Sequence, residues 1–392
     1  MIPAGSRRSC ALDMALVKAE FPPPDDGSLY LNTGSCGRKS HRVLTAIAES
    51  WQRFNNNPTY WTFYNEEHLT EARRVAAEVI GGSPDNLLLT QNSTQGLQLV
   101  MQTFLLNPGD EFVTTTHEHG SVRTIARYLE ETRGIVVRHH KFEPHAGSDA
   151  LCAGILKLIS PKTRLVEVSE VDSFTGWRPN LKPLSQRLKA LGVPLLVDGA
   201  HAPGQARLSV SDYPIWVGSG HKWLGAPNGV GFLHIKPLYA EQLKPSWLGD
   251  RYYGEFDNPL MRFEFQGTAD VGRFTGLTAA CKLALDLGLE AIADRQNQLL
   301  QYARTKLAAF SSTVIRTPDV TGETTGILTV TFNADHIKVK DLKEWLWEQH
   351  RIWVQPDFYF GDPGYGMRLS LHYSLNESDI DKLVAALSQV IA

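Results

Sequence analysis

A lysine, an aspartate and a pair of hydroxyl residues each follow a short apolar stretch that is typical of a buried strand. Lys222 lies in VGSGHKWLG, an unusual setting because a lysine normally keeps its ammonium in water. Asp198 ends PLLVD, where an unpaired buried carboxylate would be costly. Ser93 and Thr94 follow NLLLT, at the predicted start of a helix. Hydroxyls and backbone N–H groups at a helix N-terminus form a site suited to an anion such as phosphate.

Each feature also has an ordinary structural explanation. Lys222 could be an exposed charge on a loop, Asp198 could cap the next turn, and Ser93 or Thr94 could cap the helix. Taken together at one sheet edge, however, an amine, a carboxylate and an anion cradle are what a protein must supply to pyridoxal phosphate. In that setting desolvation and nearby positive charge would lower the pKa of Lys222 and make its amine nucleophilic.

The elements between residues 86 and 235 alternate in a way that predicts how these residues meet. Apolar strands are predicted at NLLLT, EFVTTT, IVVRHH, RLVEVS, PLLVD, PIWVGSG and VGFLHI. Helical patterns lie between them, at STQGLQLVMQTFLL, SVRTIARYLEETR, 149–159 and 181–191. This alternation predicts an α/β fold in which a mostly parallel sheet is sandwiched by helices. Ligands of such sheets gather at the carboxyl ends of the strands.

The remaining sequence predicts a second, smaller unit. Residues 1–28 are predicted to be irregular, and the loop NNNPTYWTFYN is predicted between helices at 43–54 and 66–80. After about residue 270 the predicted elements are helices at 274–288 and 290–310, GILTVTF, a helix at 340–350, IWVQP, MRLSLH and a helix from Glu377. This pattern is typical of a small α+β domain.

Three parts of the chain are therefore expected. An N-terminal segment, 1–60, contributes to the small domain and the active site. A large cofactor-binding domain covers 61–290, and the C-terminal small α+β domain covers 291–392.

The composition narrows the class of function. A net charge of -3 over 392 residues gives no electrostatic signal for a nucleic acid or an anionic membrane. The four cysteines lack CxxC spacing, so no metal site or disulfide framework is predicted, which favours the reducing cytoplasm. No apolar stretch reaches the roughly 18 to 20 residues that span a bilayer. A nucleic acid or membrane partner is therefore not favoured.

Several long motifs, in order, resemble one known family. VSEVDSFTGWRPNLKPL, LLVDGAHAPG, VGSGHKWLGAPNGVGFL, QGTAD and MRLSLHYSLNESDIDKLV are similar to the motif series of the class V aminotransferases, pyridoxal phosphate enzymes of fold type I. The resemblance covers roughly residues 29–390. LNTGSCG and QGTAD resemble the isopenicillin N epimerase-like and cysteine desulfurase-like subgroup most closely.

The resemblance implies cofactor-binding roles for nine residues. Lys222 would form the Schiff base and move the Cα proton, and Asp198 would keep the pyridine nitrogen protonated. His119 would stack on the ring, and His201 replaces the glutamine that relatives often place near the phenolic oxygen. The phosphate-binding positions fall on Ser93, Thr94, Ser219 and His221, with Thr268 reaching the phosphate of the neighbouring subunit. A homodimer with shared active sites is therefore expected.

Substrate-binding positions follow from the same resemblance. Arg368 in MRLSLH matches the arginine that grips the substrate α-carboxylate, for which a guanidinium offers a two-point contact. Asn32, Gly34 and Ser35 lie where the family's N-terminal segment closes over the substrate. The expected substrate is a small molecule of amino-acid type.

The reaction is less sharply indicated than the cofactor. Desulfurases of this family carry a nucleophilic cysteine within the stretch that is WVQPDFYFGDPGYGMR here, which has none, and only Cys36 could substitute for it. Epimerisation needs a proton donor on the opposite face, for which His372 and Tyr373 are weak candidates. β-Elimination needs only the lysine, the cofactor and a leaving group. We therefore predict a C–S lyase acting on cysteine or a cysteine conjugate, with an epimerase or aminotransferase as alternatives and a catalytically silent binding protein less favoured.

Aromatic stretches could enlarge the substrate pocket. They are PTYWTFYN, WLGDRYYGEF and DFYFGDPGYG, and core packing or a dimer contact is an equally ordinary fate for them. If they line the pocket, they favour a bulky substrate.

Overall fold

The computed structural model describes residues 11–63, 66–105, 107–246, 248–249, 252–256, 258–264, 267–333, 337–339, 341–356 and 366–391. The α-helices are α1 (Met14–Glu20), α2 (His41–Asn56), α3 (Pro58–Phe63), α4 (Glu66–Ile80), α5 (Ser93–Phe104), α6 (Gly120–Arg133), α7 (Ser148–Leu156), α8 (Lys182–Ala190), α9 (Pro237–Ala240), α10 (Gly272–Leu287), α11 (Leu289–Leu307), α12 (Leu342–His350) and α13 (Glu377–Leu387). The strands are β1 (Leu29–Leu31), β2 (Leu87–Thr90), β3 (Glu111–Thr115), β4 (Val136–His140), β5 (Thr163–Ser169), β6 (Leu195–Gly199), β7 (Ile215–Ser219), β8 (Gly231–Ile235), β9 (Thr313–Ile315), β10 (Ile327–Phe332), β11 (Ile352–Pro356) and β12 (Gly366–Ser370).

A seven-stranded sheet forms the centre of the larger unit. Its strand order is β2-β8-β7-β6-β5-β3-β4, and β8 runs antiparallel to both of its neighbours while the other paired strands are parallel. Apolar clusters cover both faces, one with Trp177, Trp216 and Trp223 and the other with Phe112 and Met101. Helices on both faces explain why β2, β3, β6, β7 and β8 are buried along their whole length. The predicted fold class is confirmed.

A second sheet, of five strands, has the order β1-β11-β12-β10-β9. Its apolar face packs with α11, α12 and α13 in a separate core that includes Leu299, Leu346 and Leu383. The N-terminal strand β1 pairs in parallel with β11, with Leu29 opposite Ile352. The chain's first strand thus joins the sheet of its C-terminal part, while the proposed domain limits stay predictions.

Two short helices lie where the sequence predicted irregular chain. In α1, Asp13 Oδ1 accepts hydrogen bonds from the backbone of Ala15 and Leu16, both at 3.0 Å. In α3, Asn57 Oδ1 accepts from Tyr60 N at 3.1 Å, and Pro58 occupies the first helical position that proline favours. Helices of two turns or less show too few apolar repeats to be recognised by periodicity, so these two predictions were wrong.

Two strands also differ from the sequence interpretation. β9 was not predicted, and it adds only three residues at the edge of the small sheet, beside β10. β4 forms where IVVRHH was predicted, but it is an edge strand and largely exposed. An edge strand is covered less completely than a central one, so an apolar sequence was not required there.

Two features are absent from the described part of the chain. None of its helices has the length and apolar character needed to cross a membrane. Nor do its His, Cys, Asp and Glu side chains form a group of three that could hold a metal ion.

Candidate functional site

A pocket of about 650 Å³ opens at the carboxyl ends of the parallel strands. Its lining comprises Gly34, Ser35, Asn92, Ser93, Thr94, His119, Gly120, Arg123, Ser169, Val171, Ser173, Phe174, Asp198, Ala200, His201, Ser219, His221, Lys222, Gln355 and Arg368. The large sheet supplies one wall, and the small sheet with the segment after β1 supplies the other. All predicted site residues except Thr268 and Asn32 line this pocket, and Asn32 contacts it through Arg368.

Lys222 lies in the turn after β7 and reaches into the pocket, where its side chain is partly exposed. Its Nζ is 3.1 Å from His201 Nε2. Desolvation lowers the pKa of Lys222 to about 8, Asp198 opposes this shift, and Arg368 reinforces it. A substantial fraction of this amine is therefore neutral near neutral pH, as a nucleophile or base requires.

Asp198 is buried in β6, opposite Ser169 of β5 and Val217 of β7. Its Oδ1 accepts a hydrogen bond from Ala200 N at 2.9 Å, so it does cap the following turn. Burial raises the pKa of this carboxyl although Lys222 acts against the rise. A carboxylate here is stabilised by a second, cationic partner in the pocket, and the protonated nitrogen of a pyridine ring fits that requirement.

The anion end of the pocket is built at the N-terminus of α5. Asn92, not Ser93 or Thr94, caps this helix, because its side chain accepts from Gln95 N at 3.0 Å. The hydroxyls are thereby left for other contacts: Ser219 Oγ lies 3.1 Å from Ser93 Oγ, and Thr94 Oγ1 lies 2.8 Å from Ser121 Oγ. Hydroxyls beside free N–H groups of a helix are the donor set that a phosphate needs. The residues present thus fit pyridoxal phosphate at this end too.

His119 stands at the mouth of the pocket and is exposed. Its Nδ1 accepts a hydrogen bond from Ser121 N at 3.1 Å and so caps α6. Partial burial and the charges of Lys222, Arg123 and Arg368 lower the pKa of His119 to about 4. The ring is therefore neutral at neutral pH, with its proton on Nε2, and is a poor proton donor.

His201 is buried and held by two ring contacts. Trp223 Nε1 donates to His201 Nδ1 at 3.4 Å, and an indole nitrogen can only donate. Nδ1 is therefore unprotonated, and burial followed by the nearby positive charges lowers the pKa of His201 well below its usual value. The proton of the neutral ring lies on Nε2, which points it at Lys222 Nζ.

Arg368 projects from β12 and is fixed by contacts from three directions. Its Nη1 donates to Ser173 O at 2.9 Å, and its Nη2 lies 3.3 Å from Ser35 Oγ and 3.5 Å from Asn32 Oδ1. Gln355, opposite Arg368 across β11 and β12, accepts from Asn32 Nδ2 at 3.0 Å. The guanidinium is thus held in place beside the pocket, as recognition of a carboxylate requires.

Four other residues lie outside the pocket. Thr268 is exposed on the surface of this chain, and Gln266 of the same motif is outside the described residues. Cys36 Sγ donates to Asn228 Oδ1 at 3.2 Å. His372 and Tyr373 are buried against Phe21, with ring centroids 5.4 and 5.8 Å away. Neither the substitute thiol nor the two suggested proton donors are brought to Lys222.

The aromatic stretches contribute little to the pocket where they are described. The phenyl ring among the described lining residues belongs to Phe174, which lies outside these stretches. Tyr60 and Tyr253 are exposed on the surface, and DFYFGDPGYG lies almost entirely outside the described residues. A pocket enlarged by these stretches stays a prediction.

Several pocket residues were missed by the sequence interpretation. Asn92 was hidden because three consecutive polar residues could each cap α5. Gln355 and Ser173 meet Arg368 through strand pairing and a loop distant in sequence, and neither carries a local signal. Arg123 could have been found from its position four residues after His119, in the first turn of α6.

Comparisons with known proteins show the family to which this chain belongs. The family model for class V aminotransferases matches residues 29–383. The chain is 32% identical over 385 residues to isopenicillin N epimerase of Streptomyces clavuligerus, covering 93% of this chain and 95% of that protein. It is 28% identical over 338 residues to a cysteine desulfurase of Serratia proteamaculans, covering 81% and 80%.

The fold is shared with a solved structure. The cystine C–S lyase C-DES, in complex with cysteine persulfide, superposes with a TM-score of 0.83 at 24% identity, covering 93% of this chain and 98% of that one. Fold and pocket are together those of a pyridoxal phosphate-dependent enzyme of fold type I. The chain belongs to the class V aminotransferase family, and its cofactor is pyridoxal phosphate, as predicted.

Proposed function

We propose that this protein is a C–S lyase that cleaves cysteine or a cysteine conjugate by β-elimination. The substrate and one water give a thiol, pyruvate and ammonia, with no external oxidant or reductant. The observation that carries the proposal is that Lys222 is the one lysine among the described lining residues, while the pKa values of the histidines there, His119, His201 and His221, are all lowered, which makes them poor proton donors for inversion of Cα.

Substrate orientation falls to Arg368. Its guanidinium, fixed by Ser173, Asn32 and Ser35, would bind the α-carboxylate at two points. This contact decides which bond to Cα stands next to Lys222, and so which bond breaks. Pyridoxal phosphate, when bound, supplies an electron sink for the carbon attached to the substrate nitrogen.

Proton removal falls to Lys222. Its Nζ, neutral in a substantial fraction because its pKa is about 8, takes the Cα proton. The Cβ–S bond then breaks with its electron pair leaving on sulfur, and a Cα–Cβ double bond forms. One water converts the released enamine to pyruvate and ammonia. His201, whose Nε2 lies 3.1 Å from Lys222 Nζ, holds the amine in position beside Cα.

Asp198 and the anion end would hold the cofactor. The carboxylate pairs with the ring nitrogen, and Ser93, Thr94, Ser219 and His221 bind the phosphate. His119, neutral and at the pocket mouth, would cover the ring. Thr268 would complete the phosphate site of a second subunit, which accounts for its exposure outside the pocket of its own chain. Loss of the dimer on dilution without loss of cofactor would contradict that last role.

Epimerisation is the second candidate, because the chain is 32% identical to an isopenicillin N epimerase over 93% of its length. It requires a proton delivered to the face of Cα opposite Lys222. His119, with a pKa of about 4, is poorly suited to deliver one at neutral pH. The described pocket therefore favours elimination over inversion.

One experiment separates the two. The cofactor-loaded protein is incubated in D₂O with cysteine, cystine and S-alkyl cysteines. Release of pyruvate with an equal amount of sulfide from cysteine, persulfide from cystine or thiol from an S-alkyl cysteine, absent in Lys222→Ala, is expected. Incorporation of deuterium at Cα with racemisation and without pyruvate would establish the epimerase instead.

A further inference from the structure

The pocket contains two arginines, of which only Arg368 has a role in the proposed function. Arg123 lies in the first turn of α6, lines the pocket and is exposed. Its guanidinium makes no hydrogen bond or ion pair with any side chain in the described ranges, whereas Arg368 is held by three residues. Arg123 is therefore available to a ligand.

The position of Arg123 is not explained by helix stability. A cation in the first turn of a helix is unfavourable because the N-terminus carries partial positive charge. The other arginines of α6 are paired: Arg127 Nε contacts Glu131 Oε1 at 2.8 Å, and Arg133 Nη1 donates to the carbonyls of Gln102 and Leu105. Arg123 alone among them faces the pocket without a partner.

The charges of the pocket residues also indicate that Arg123 is available to a ligand. Lys222, Arg368 and Arg123 are cationic, and Asp198 is the single carboxylate in the lining that the structure describes. In the proposed function Asp198 pairs with the cofactor ring and Arg368 with the α-carboxylate. The cofactor phosphate would be held by the hydroxyls and helix N–H groups of the anion end. Arg123 then has no anionic partner among the described lining residues, and a second anionic group on the substrate would give it one.

The location of Arg123 indicates which part of the substrate it meets. Both Arg123 and Arg368 lie near enough to His119 to lower the pKa of that ring. Arg123 N donates to His119 O at 3.3 Å, and both of these side chains are exposed, whereas those of Lys222 and Arg368 are half-buried. Arg123 is thus placed near the pocket mouth, farther from the reacting carbon, where the end of a substrate side chain lies.

We propose that Arg123 is a specificity-determining residue that binds a carboxylate at the end of the substrate side chain. The substrate class is an amino acid with a second, distal carboxylate, and for a lyase it is a cysteine S-conjugate that ends in one. This inference rests on the proposed function only in that Arg368 takes the α-carboxylate.

The test compares S-carboxymethyl-L-cysteine with S-carbamoylmethyl-L-cysteine, which have the same shape and differ in one charge. Affinity is read from the change in the cofactor absorption band, and KM from thiol release. The variants are Arg123→Gln and Arg123→Lys, with Arg127→Gln as the matched control one turn further along α6. Arg127 is exposed, outside the pocket and paired with Glu131.

Arg123→Gln should weaken binding of the carboxymethyl compound roughly 10- to 100-fold, the range expected for a lost charged hydrogen bond, and leave the carbamoyl compound within about 2-fold. Arg123→Lys should fall between, and Arg127→Gln should match the wild type. Equal losses for the two ligands, no loss for either, or no preference in the wild type would overturn the proposal. If neither ligand releases thiol but the spectral preference depends on Arg123, the lyase proposal fails and this one stands.

Discussion

The two walls of the pocket are built in different ways. The cofactor wall consists of strand ends from one mostly parallel sheet, so backbone pairing places Asp198 beside β7 and Ser219 beside β8. The substrate wall combines β12, β11 and the segment after β1, and Arg368 is placed by side-chain contacts to Ser173 and Asn32. A single side-chain substitution should therefore disturb the cofactor wall less than the substrate wall, where it can remove one of the contacts that hold Arg368.

Replacing Lys222 removes the central group of the cofactor wall and has the largest expected effect. Lys222→Ala should reduce turnover by about 10³-fold or more, because both the nucleophile and the base are lost. Borohydride should link the cofactor covalently to the wild type but not to the variant, as mass spectrometry would detect. Lys236→Ala, outside the pocket, is the control, and a variant that still links cofactor would refute the role of Lys222.

Replacing Arg368 tests the substrate wall, with a smaller effect. Arg368→Gln should raise KM roughly 10- to 100-fold, because a charged two-point contact with the α-carboxylate is lost. Cofactor affinity, measured from the absorption band, should stay nearly unchanged. Arg316→Gln, directly after β9 of the small sheet and outside the pocket, should behave as the wild type. A parallel loss of cofactor would show that the two walls are not separable.

Charged residues of both walls, Asp198 and Arg368, act on the pKa of Lys222. Since its pKa is lowered to about 8, its neutral fraction in the cofactor-free protein rises as pH increases through 8, not through 10.5. Acetylation of Lys222, followed by peptide mass spectrometry, should increase about 10-fold from pH 6 to 7 and level off above about pH 9. Arg368→Gln should move this midpoint upward, because the Arg368 charge favours the neutral amine. An unshifted midpoint near 10.5 would contradict the desolvated setting.

The sequence predicted the cofactor wall better than the substrate wall, for a physical reason. Strand ends are marked locally, by an apolar run that stops at Asp198 or before Ser93, and parallel strands bring such ends together. The class V family resemblance added His119, His201 and Arg368. Contacts set by pairing between distant strands, such as Gln355 with Asn32, leave no mark in either segment.

The same limit explains what was missed elsewhere. α1 and α3 are fixed by single capping side chains, Asp13 and Asn57, rather than by an amphipathic period. The sequence did not predict that Arg123 lines the pocket, because the orientation of its side chain depends on how α6 begins at His119. Local patterns thus predict elements and strand ends, while the identity of a substrate depends on the orientation of single side chains.

Gly34 offers the finest test of the difference between the walls. Its N–H donates to Ser370 Oγ at 2.9 Å. A Cβ there would lie 3.0 Å from the same Oγ, 3.2 Å from Arg368 Nη2 and 3.3 Å from His201 Cε1. Gly34→Ala should therefore displace the guanidinium by a few tenths of an ångström and raise KM about 2- to 5-fold, an effect of well under 1.4 kcal/mol. Gly120→Ala, whose Cβ would meet Arg123 at an ordinary 3.9 Å, should leave KM unchanged. The methyl group added at Gly34 lies on the substrate wall, and the one added at Gly120 meets no close neighbour, so cofactor affinity should not change in either variant. A drop in cofactor affinity for Gly34→Ala alone would mean that His201, not Arg368, yields to the contact.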